Sequence, residues 1–446
     1  MDEKISLVPP DDQPRSPHPA VPENTMGMVS WAFYDWANSS FSAIISTFVF
    51  AAYFTREVAL NPTQGTELWG NVIGVAGFIV AIGGPFLGAM GDQVGRHKPW
   101  IALFTFICVV ATAMMWFVKP SHVYIELALV LVGIATLTSE YATIFYNAML
   151  PELAGRKYMG RWSGWGWGLG YVGGLVCLIL ALEAFVSHDP WISLNKSTAQ
   201  DVRATFILVA VWYLVFSLPL FMFTSDTPST GKSIRQGVKD GTIQLINSIR
   251  QVKRYRPIVR FLIARMIYID GLATLFTFGG VYAAGSFNMA EQEVLMFGIA
   301  LNASAGLGAI GFAWVDDFVG SKPTILISLV GLITTGTIIL LVSSPLLFWI
   351  FGILLGIFVG PVQAASRSFL AHTAPENIRN QMFGLFALSG KATAFLGPLL
   401  VGWITFLTHS QRIGMGVIIL FFFIGLVLMF TVPSVNETKN IIAKAK

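Results

Sequence analysis

Apolar stretches long enough to cross a membrane follow one another along almost the whole chain, and that pattern excludes most architectures. A helix needs about 20 predominantly apolar residues to traverse the hydrocarbon core, where no water satisfies backbone N–H and C=O groups. Such stretches occupy 29–54, 68–90, 100–118, 122–149, 163–187, 203–224, 258–284, 293–315, 324–342, 345–371, 381–407 and 413–433. Only 12% of the 446 residues are charged, against 54% hydrophobic, where soluble domains carry roughly 25% charge. With a mean hydropathy of +0.67, the chain lacks the charge to coat a soluble surface of this size. Its apolar faces must meet lipid. The expected fold class is an all-α membrane protein with twelve transmembrane helices.

The basic residues give the orientation. Most of the 28 lysines and arginines lie in the two tails and in loops 2–3, 4–5, 6–7, 8–9 and 10–11, all on one side. The other side holds Arg56, Lys119, Lys196, Arg203 and Arg412. Cytoplasmic loops carry the excess of bases, so both termini are expected in the cytoplasm. The sequence pI near 9.0 is therefore an orientation signal, and no nucleic-acid partner is expected. Residues 1–28 place Asp11, Asp12, Arg15 and a run of prolines before any apolar stretch. They read as a disordered cytoplasmic tail, and 434–446 as a second one. The central loop 225–257 spaces Ile234, Val238, Leu245, Ile249 and Val252 helically among Lys232, Arg235, Lys239, Arg250 and Lys253. It reads either as an amphipathic helix on an anionic membrane surface or as a plain tether. Cys108 and Cys177 fall in apolar runs and read as free thiols; neither CxxC nor any Cys/His cluster is present, so no metal or cofactor is expected.

The chain is internally repeated. Asp92-Gln93-Val94-Gly95-Arg96-His97-Lys98-Pro99 lies between stretches 2 and 3, and Asp317-Phe318-Val319-Gly320-Ser321-Lys322-Pro323 between 8 and 9. Two stretches later come Pro151-Glu152 with Gly160, and Pro375-Glu376 with Gly384. The two pairs share one sequence offset to within a residue, which predicts two pseudo-symmetric six-helix bundles, 29–224 and 258–433. Duplicated halves suit alternating access, with a substrate site between them near the midplane. In the loops themselves Gly88 is expected to let helix 2 approach a neighbour, and Gly95 to permit a tight turn. Asp92 with Arg96 and Lys98, and Asp317, Gly320 and Lys322 in the second copy, are expected to form a conformational latch.

Ionisable residues inside the stretches are costly and ordinarily face a cavity. Asp35, Glu140, Arg265, Asp270 and Lys391 fall in one layer, about 9–18 Å from the cytoplasmic ends at 1.5 Å per residue. Two readings are open. Asp35 and Glu140 pair permanently with Arg265 or Lys391 and hold the halves together. Alternatively, an acid in the cavity loads a proton that exchanges with substrate, while the bases grip a substrate carboxylate. Asp35, flanked by Tyr34, Asn38 and Ser39, is the first candidate for proton coupling. Glu140, with Tyr141 and Tyr146 on its helix, and Asp270 in the opposite half follow. Arg367, about one turn from the cytoplasmic end of its stretch, is expected to snorkel. Gly160, Gly164 and Gly168, and Gly166, Gly170 and Gly174, offer small-residue packing on two faces of stretch 5. Trp162, Trp165 and Trp167 are expected as interfacial anchors or a cavity wall.

The pattern Gly88-x-x-x-Asp92-x-x-Gly95-Arg96-x-Lys98 is similar to the loop 2–3 signature of the major facilitator superfamily, with Gln93 where that family often has a base. Further stretches resemble one branch of it, the vacuole amino-acid effluxer-like family. These are Trp31-Ala32-Phe33-Tyr34-Asp35-Trp36-Ala37-Asn38-Ser39-Ser40, Tyr146-Asn147-Ala148-Met149-Leu150-Pro151-Glu152 and Gly164-Trp165-Gly166-Trp167-Gly168-Leu169-Gly170-Tyr171. In the second half Gly360-Pro361-Val362-Gln363-Ala364-Ala365-Ser366-Arg367-Ser368 and Leu388-Ser389-Gly390-Lys391 continue the match. The resemblance implies a twelve-span facilitator fold and efflux of amino acids. Tyr34, Asn38, Tyr141, Asn147, Arg265, Gln363 and Lys391 are the substrate-binding candidates.

An enzyme is not expected: neither HExxH nor GxSxG occurs, and no Walker sequence marks an ATP-driven pump. A channel would need a filter-like repeat around a pore. The expected function is secondary active transport of a small organic solute, amino-acid efflux coupled to protons, by a monomer in a cytoplasmic or vacuolar-type membrane. A facilitator of sugars, peptides or lipids, or a non-transporting receptor, is the alternative.

Overall fold

A computed structural model of the chain describes residues 25–226, 255–375 and 379–444, with Gln236, Lys239, Ile243 and Arg250 between them. Residues 1–24 of the expected tail, most of the 225–257 linker and its helix, and Glu376 lie outside the described residues. So do the side chains of Asp92, Pro151, Glu152, Gly160, Gly164 and Asp317.

Among the described residues, eleven helices are long and apolar enough to cross a membrane. Spans 1 to 6 are Thr25–Val58, Pro62–Gly84, Lys98–Phe117, His122–Leu150, Trp165–Val186 and Gln200–Phe223. Spans 7 to 10 are Arg256–Phe287, Glu291–Asp316, Ser321–Leu341 and Pro345–Thr373, and span 12 is Gln411–Phe430. Span 11, expected as one helix over 381–407, is broken into 11a (Arg379–Ser389) and 11b (Leu396–Thr408). Gly390 stops the first piece, and tight i→i−3 bonds such as Gly390 N–H to the Ala387 carbonyl carry the chain through the break. Pro398 lies in the first turn of 11b, where a helix has no use for its missing N–H. Tyr146 near the end of span 4 and Gly166 at the start of span 5 both reach Asp35, so the two spans lie side by side against span 1. The C-terminal segment expected as a tail is a short helix, Val435–Lys444, packed on span 10. Ser434 and Glu437 form its capping box, and hydrogen bonds from Ser434 hold the exposed Glu437 carboxyl below its usual range.

The packing obeys the repeat. Span 1 packs on 5 and 6, and span 3 on 4 and 6; in the second half span 7 packs on 12, and span 9 on 10 and 12. Between halves, span 2 runs along 11b and span 5 meets span 8, pairs that exchange under the same symmetry. Gly95 and Gly320, equivalent in the two copies, are the glycines with left-handed backbone among the described residues, at φ 93° and 89°. Each sits where a span ends and the next begins, a turn that a Cβ would strain.

The halves are shut at the end carrying loops 1–2, 7–8 and 11–12. There Arg56 donates to the Met289 carbonyl (2.6 Å), Gln411 to Thr66 Oγ1 (2.8 Å), and Trp403 to Asn71 Oδ1 (2.9 Å). Gly70 allows backbone contact, since a Cβ on it would lie 3.0 Å from the Gly402 Cα. Toward the other end 11a packs on spans 7 and 10, while span 2 packs on 11b.

Candidate functional site

The motif of span 1 divides its side chains by helical period. Trp31, Asp35 and Asn38 face spans 4 and 5. The Trp31 indole stacks on Tyr146 at 4.5 Å and donates to its carbonyl, and Tyr146 Oη donates to Asp35 Oδ2 at 2.9 Å. Asn38 donates to Thr143 Oγ1 (3.3 Å) and accepts from Ser139 Oγ (3.0 Å). Span 5 comes this close because Gly166 and Gly170 lie against Asp35 and Ser39; a Cβ on Gly166 would sit 2.6 Å from Asp35 Oδ2. Of the two expected glycine faces, the one holding Gly166, Gly170 and Gly174 is packed on span 1, whereas nothing lies within 4 Å of a Cβ on Gly168.

Tyr34 points the other way. It is fully buried, with its hydroxyl between Thr105 Oγ1 (2.6 Å) and Tyr213 Oη (3.0 Å), so it ties span 1 to spans 3 and 6 and does not reach the interface. Tyr141 is half-buried and donates to the Ile79 carbonyl on span 2 (3.3 Å), and Asn147 is exposed on the same helix.

In the second half, span 7 places one charge at each side of the span 11 break. Arg265 Nη1 donates to the Phe386 carbonyl (2.7 Å) and Ser389 Oγ (2.9 Å), with its guanidinium carbon 3.4 Å from the Phe386 ring centre. It caps the C-terminal end of 11a, where carbonyls lack partners and the helix dipole favours a cation. Asp270, 2% exposed, lies beside the N-terminus of 11b, the end that favours an anion: a Cβ on Gly397 would sit 3.2 Å from its Oδ1, which has no hydrogen-bond partner among the described residues. Paired discontinuous half-helices with charges at their inner ends are a transporter device.

Lys391, inside the break, reaches across the interface to Glu140 Oε2 at 2.6 Å. The two side chains stay 48% and 33% exposed although they lie near mid-membrane. An accessible ion pair at that depth means a wet space between the halves. Asp35, expected as a partner of Arg265 or Lys391, pairs with neither, and Asp35 and Asp270 do not meet. Gln363 on span 10 is half-buried, with its Nε2 donating to the Val359 carbonyl of its own helix (3.5 Å). Arg367, expected to snorkel outward, is half-buried and lies over the Trp167 ring of the first half, 5.4 Å from its centre.

The latch differs in detail from the sequence reading. Gly88 makes only an ordinary contact, 3.6 Å from Ile144, and Arg96 is exposed. Lys98 Nζ donates to the Phe221 carbonyl at the end of span 6 (3.1 Å). Lys322 Nζ does the same to Val432 (2.6 Å) and Phe430 (3.4 Å) at the end of span 12. Asp226 accepts from the backbone N–H of His97 and Lys98, capping span 3.

A profile of the family described as "Vacuole effluxer Atg22 like" matches residues 157–441. The chain belongs to that family. The MFS-type transporter YxiO of Bacillus subtilis, itself uncharacterized, is 27% identical over 92% of this chain and 95% of its own. Autophagy-related protein 22 of Saccharomyces cerevisiae is 23% identical over 61% of this chain; the match spans 56% of the yeast protein. Among solved structures, the D-xylose–proton symporter superposes with a TM-score of 0.68 at 14% identity, over 93% of this chain and 99% of its own. A bacterial homologue of the human lysosomal transporter Spinster, inward-facing and unoccupied, gives 0.66 at 14% identity over 96% of this chain and 99% of its own. The fold of this effluxer-family chain is thus that of the major facilitators, and its relatives are transporters, not enzymes. Sequence reasoning missed two features of the site: the break in span 11, signalled by Ser389-Gly390 ahead of Gly397-Pro398, and the Arg367–Trp167 contact, which has no local signal.

Proposed function

We propose that this chain is a monomeric secondary transporter that moves an amino acid by alternating access, coupled to protons. The half-exposed Glu140–Lys391 bridge carries the reading. It joins two pseudo-equivalent halves at the break of span 11, so it must part or re-form whenever residues 29–224 rock against 258–433. Asp35, held by Tyr146 rather than by a base, is the first proton carrier, with Asp270 and Glu140 behind it. Lys98 and Lys322 fasten the loop 2–3 and loop 8–9 turns to the ends of spans 6 and 12, so each bundle moves as a body. The amino-acid class rests on the resemblance of the motifs in spans 1, 4, 5, 10 and 11 to the vacuole amino-acid effluxer-like family; the matched family's description adds efflux and names no substrate. The distribution of bases supports cytoplasmic termini.

Counterflow in proteoliposomes loaded with pooled radiolabelled amino acids, with and without an imposed pH gradient, tests this. Uptake of an amino acid that the gradient stimulates, with Asp35→Asn insensitive to the gradient, is the expected result. Gradient-stimulated uptake unchanged in Asp35→Asn removes the coupling assignment. No uptake from folded, inserted protein removes the amino-acid class and turns the screen to sugars, peptides and lipids.

A further inference from the structure

We propose that Arg367 is the residue that receives a carboxylate of the transported solute, in the gap between span 10 and the Trp167 face of span 5. The assignment rests on the reading of the interface as a transport site. It follows from where the bases Arg265, Lys391 and Arg367 are each engaged; Arg260, near the end of span 7, is exposed. Arg265 is engaged within its own half: its Nη1 donates to the Phe386 carbonyl and Ser389 Oγ at the end of 11a and its guanidinium stacks on the Phe386 ring, which leaves its buried Nε without a partner but no open face toward the gap. Lys391 is held by Glu140. Arg367 is left: among the described residues its five N–H groups meet no hydrogen-bond acceptor and no carboxylate within ion-pair distance, and its contact is the open face of Trp167. Trp167 is 47% exposed, so the platform is reachable.

A half-buried guanidinium without an acceptor is an unfinished interaction at membrane depth, and its planar fork matches a carboxylate in two-point geometry. The acid nearest in electrostatic terms, Asp35, is turned to Tyr146 and forms no ion pair with Arg367. The two opposite charges thus face one gap from opposite halves, spans 1 and 5 on one side and span 10 on the other. A carboxylate on Arg367 would be lodged between parts that move relative to each other, which is where binding can favour one conformation over the other.

Two measurements on the full-length protein in proteoliposomes decide the matter. In the first, Arg367 of the wild type is labelled with phenylglyoxal and read by peptide mass spectrometry. Glycine, glutamate, lactate and benzoate serve as carboxylate probes, and glycinamide, glutamine amide, lactamide and benzamide as their neutral counterparts. Slower labelling with at least one acid and not with its amide is expected. In the second, counterflow of the pooled amino acids is compared in wild type, Arg367→Lys and Arg367→Gln. For any amino acid transported, Arg367→Gln should raise the apparent KM roughly 10–100-fold, the loss of a charge-assisted hydrogen bond. It should also erase the preference for acid over amide, with Arg367→Lys between. A purely structural role would lower activity and leave that preference intact. If amino acids move but no acid protects Arg367, the assignment is overturned and the transport reading stands. If no amino acid moves but lactate or benzoate protects Arg367, the amino-acid class falls and the carboxylate assignment stands. If Arg367→Gln does not fold, the labelling arm on the wild type decides alone.

Discussion

Glu140 and Lys391 are close enough for a strong bond, at 2.6 Å, yet both remain accessible to water. Exposed ion pairs of this kind contribute about 0–1 kcal/mol, because solvent screens them and ordering two long side chains costs entropy. The pair therefore suits a contact that forms and breaks. A double-mutant cycle on Glu140→Gln and Lys391→Met, read by thermal denaturation, should give a coupling below about 1 kcal/mol. The same variants should each slow counterflow at least tenfold. A coupling of several kcal/mol would make the pair a structural strut. Arg265 is the contrast: buried, stacked on Phe386 and bonded to two acceptors, it behaves as part of the fold. Residues of one charge type in one layer thus do different work according to what lies beside them. The sequence places them in that layer, but a hydropathy profile holds no information on which face of a helix meets which neighbour.

At the scale of elements, the two loop copies end in one geometry by two sets of local rules. Gly95 and Gly320 turn the chain at φ 93° and 89°, and Lys98 and Lys322 reach the terminal carbonyls of spans 6 and 12. Gly320→Ala forces a Cβ into left-handed backbone and should cost about 1–2 kcal/mol. A measurable drop in melting temperature is expected in the detergent-purified protein, and the same for Gly95→Ala. An unchanged melting temperature in both would mean that the loops tolerate another turn. The glycines were legible because a turn between two apolar stretches is a local demand. The lysine partners were not, since Phe221 and Val432 are far from them along the chain. The break in span 11 lies between these cases: Gly390 and Pro398 are local signals, but only the packing of 11b on span 2 and 11a on span 7 makes the break worth keeping.

At the scale of the molecule, three cross-half hydrogen bonds gather at the end carrying loops 1–2, 7–8 and 11–12. Arg56 to Met289, Gln411 to Thr66 and Trp403 to Asn71 close it, and the backbones of spans 2 and 11b touch at Gly70 and Gly402. Thr66→Cys with Gln411→Cys should be bridged by a short bis-methanethiosulfonate reagent, since the side-chain ends they replace lie 2.8 Å apart and the shorter cysteine thiols need a spacer between them. The cross-linked protein should lose counterflow, and a reductant should restore it. Full transport with the bond closed would mean that this end does not have to open.

The sequence by itself determined the solvent, the number of spans, the internal repeat and the family. Each follows from runs and spacings within the chain: about twenty apolar residues per crossing, bases gathered on one side, and motifs recurring at one offset. Tertiary structure decided the pairing of charges. Asp35 turned to Tyr146, Arg265 to the end of 11a, Asp270 to the start of 11b, Lys391 to Glu140, and Arg367 to Trp167. Those choices depend on the rotation and tilt of neighbouring helices, which close glycine contacts between distant segments fix. Differences of a few ångströms then separate a base engaged by its own bundle from one left facing the gap.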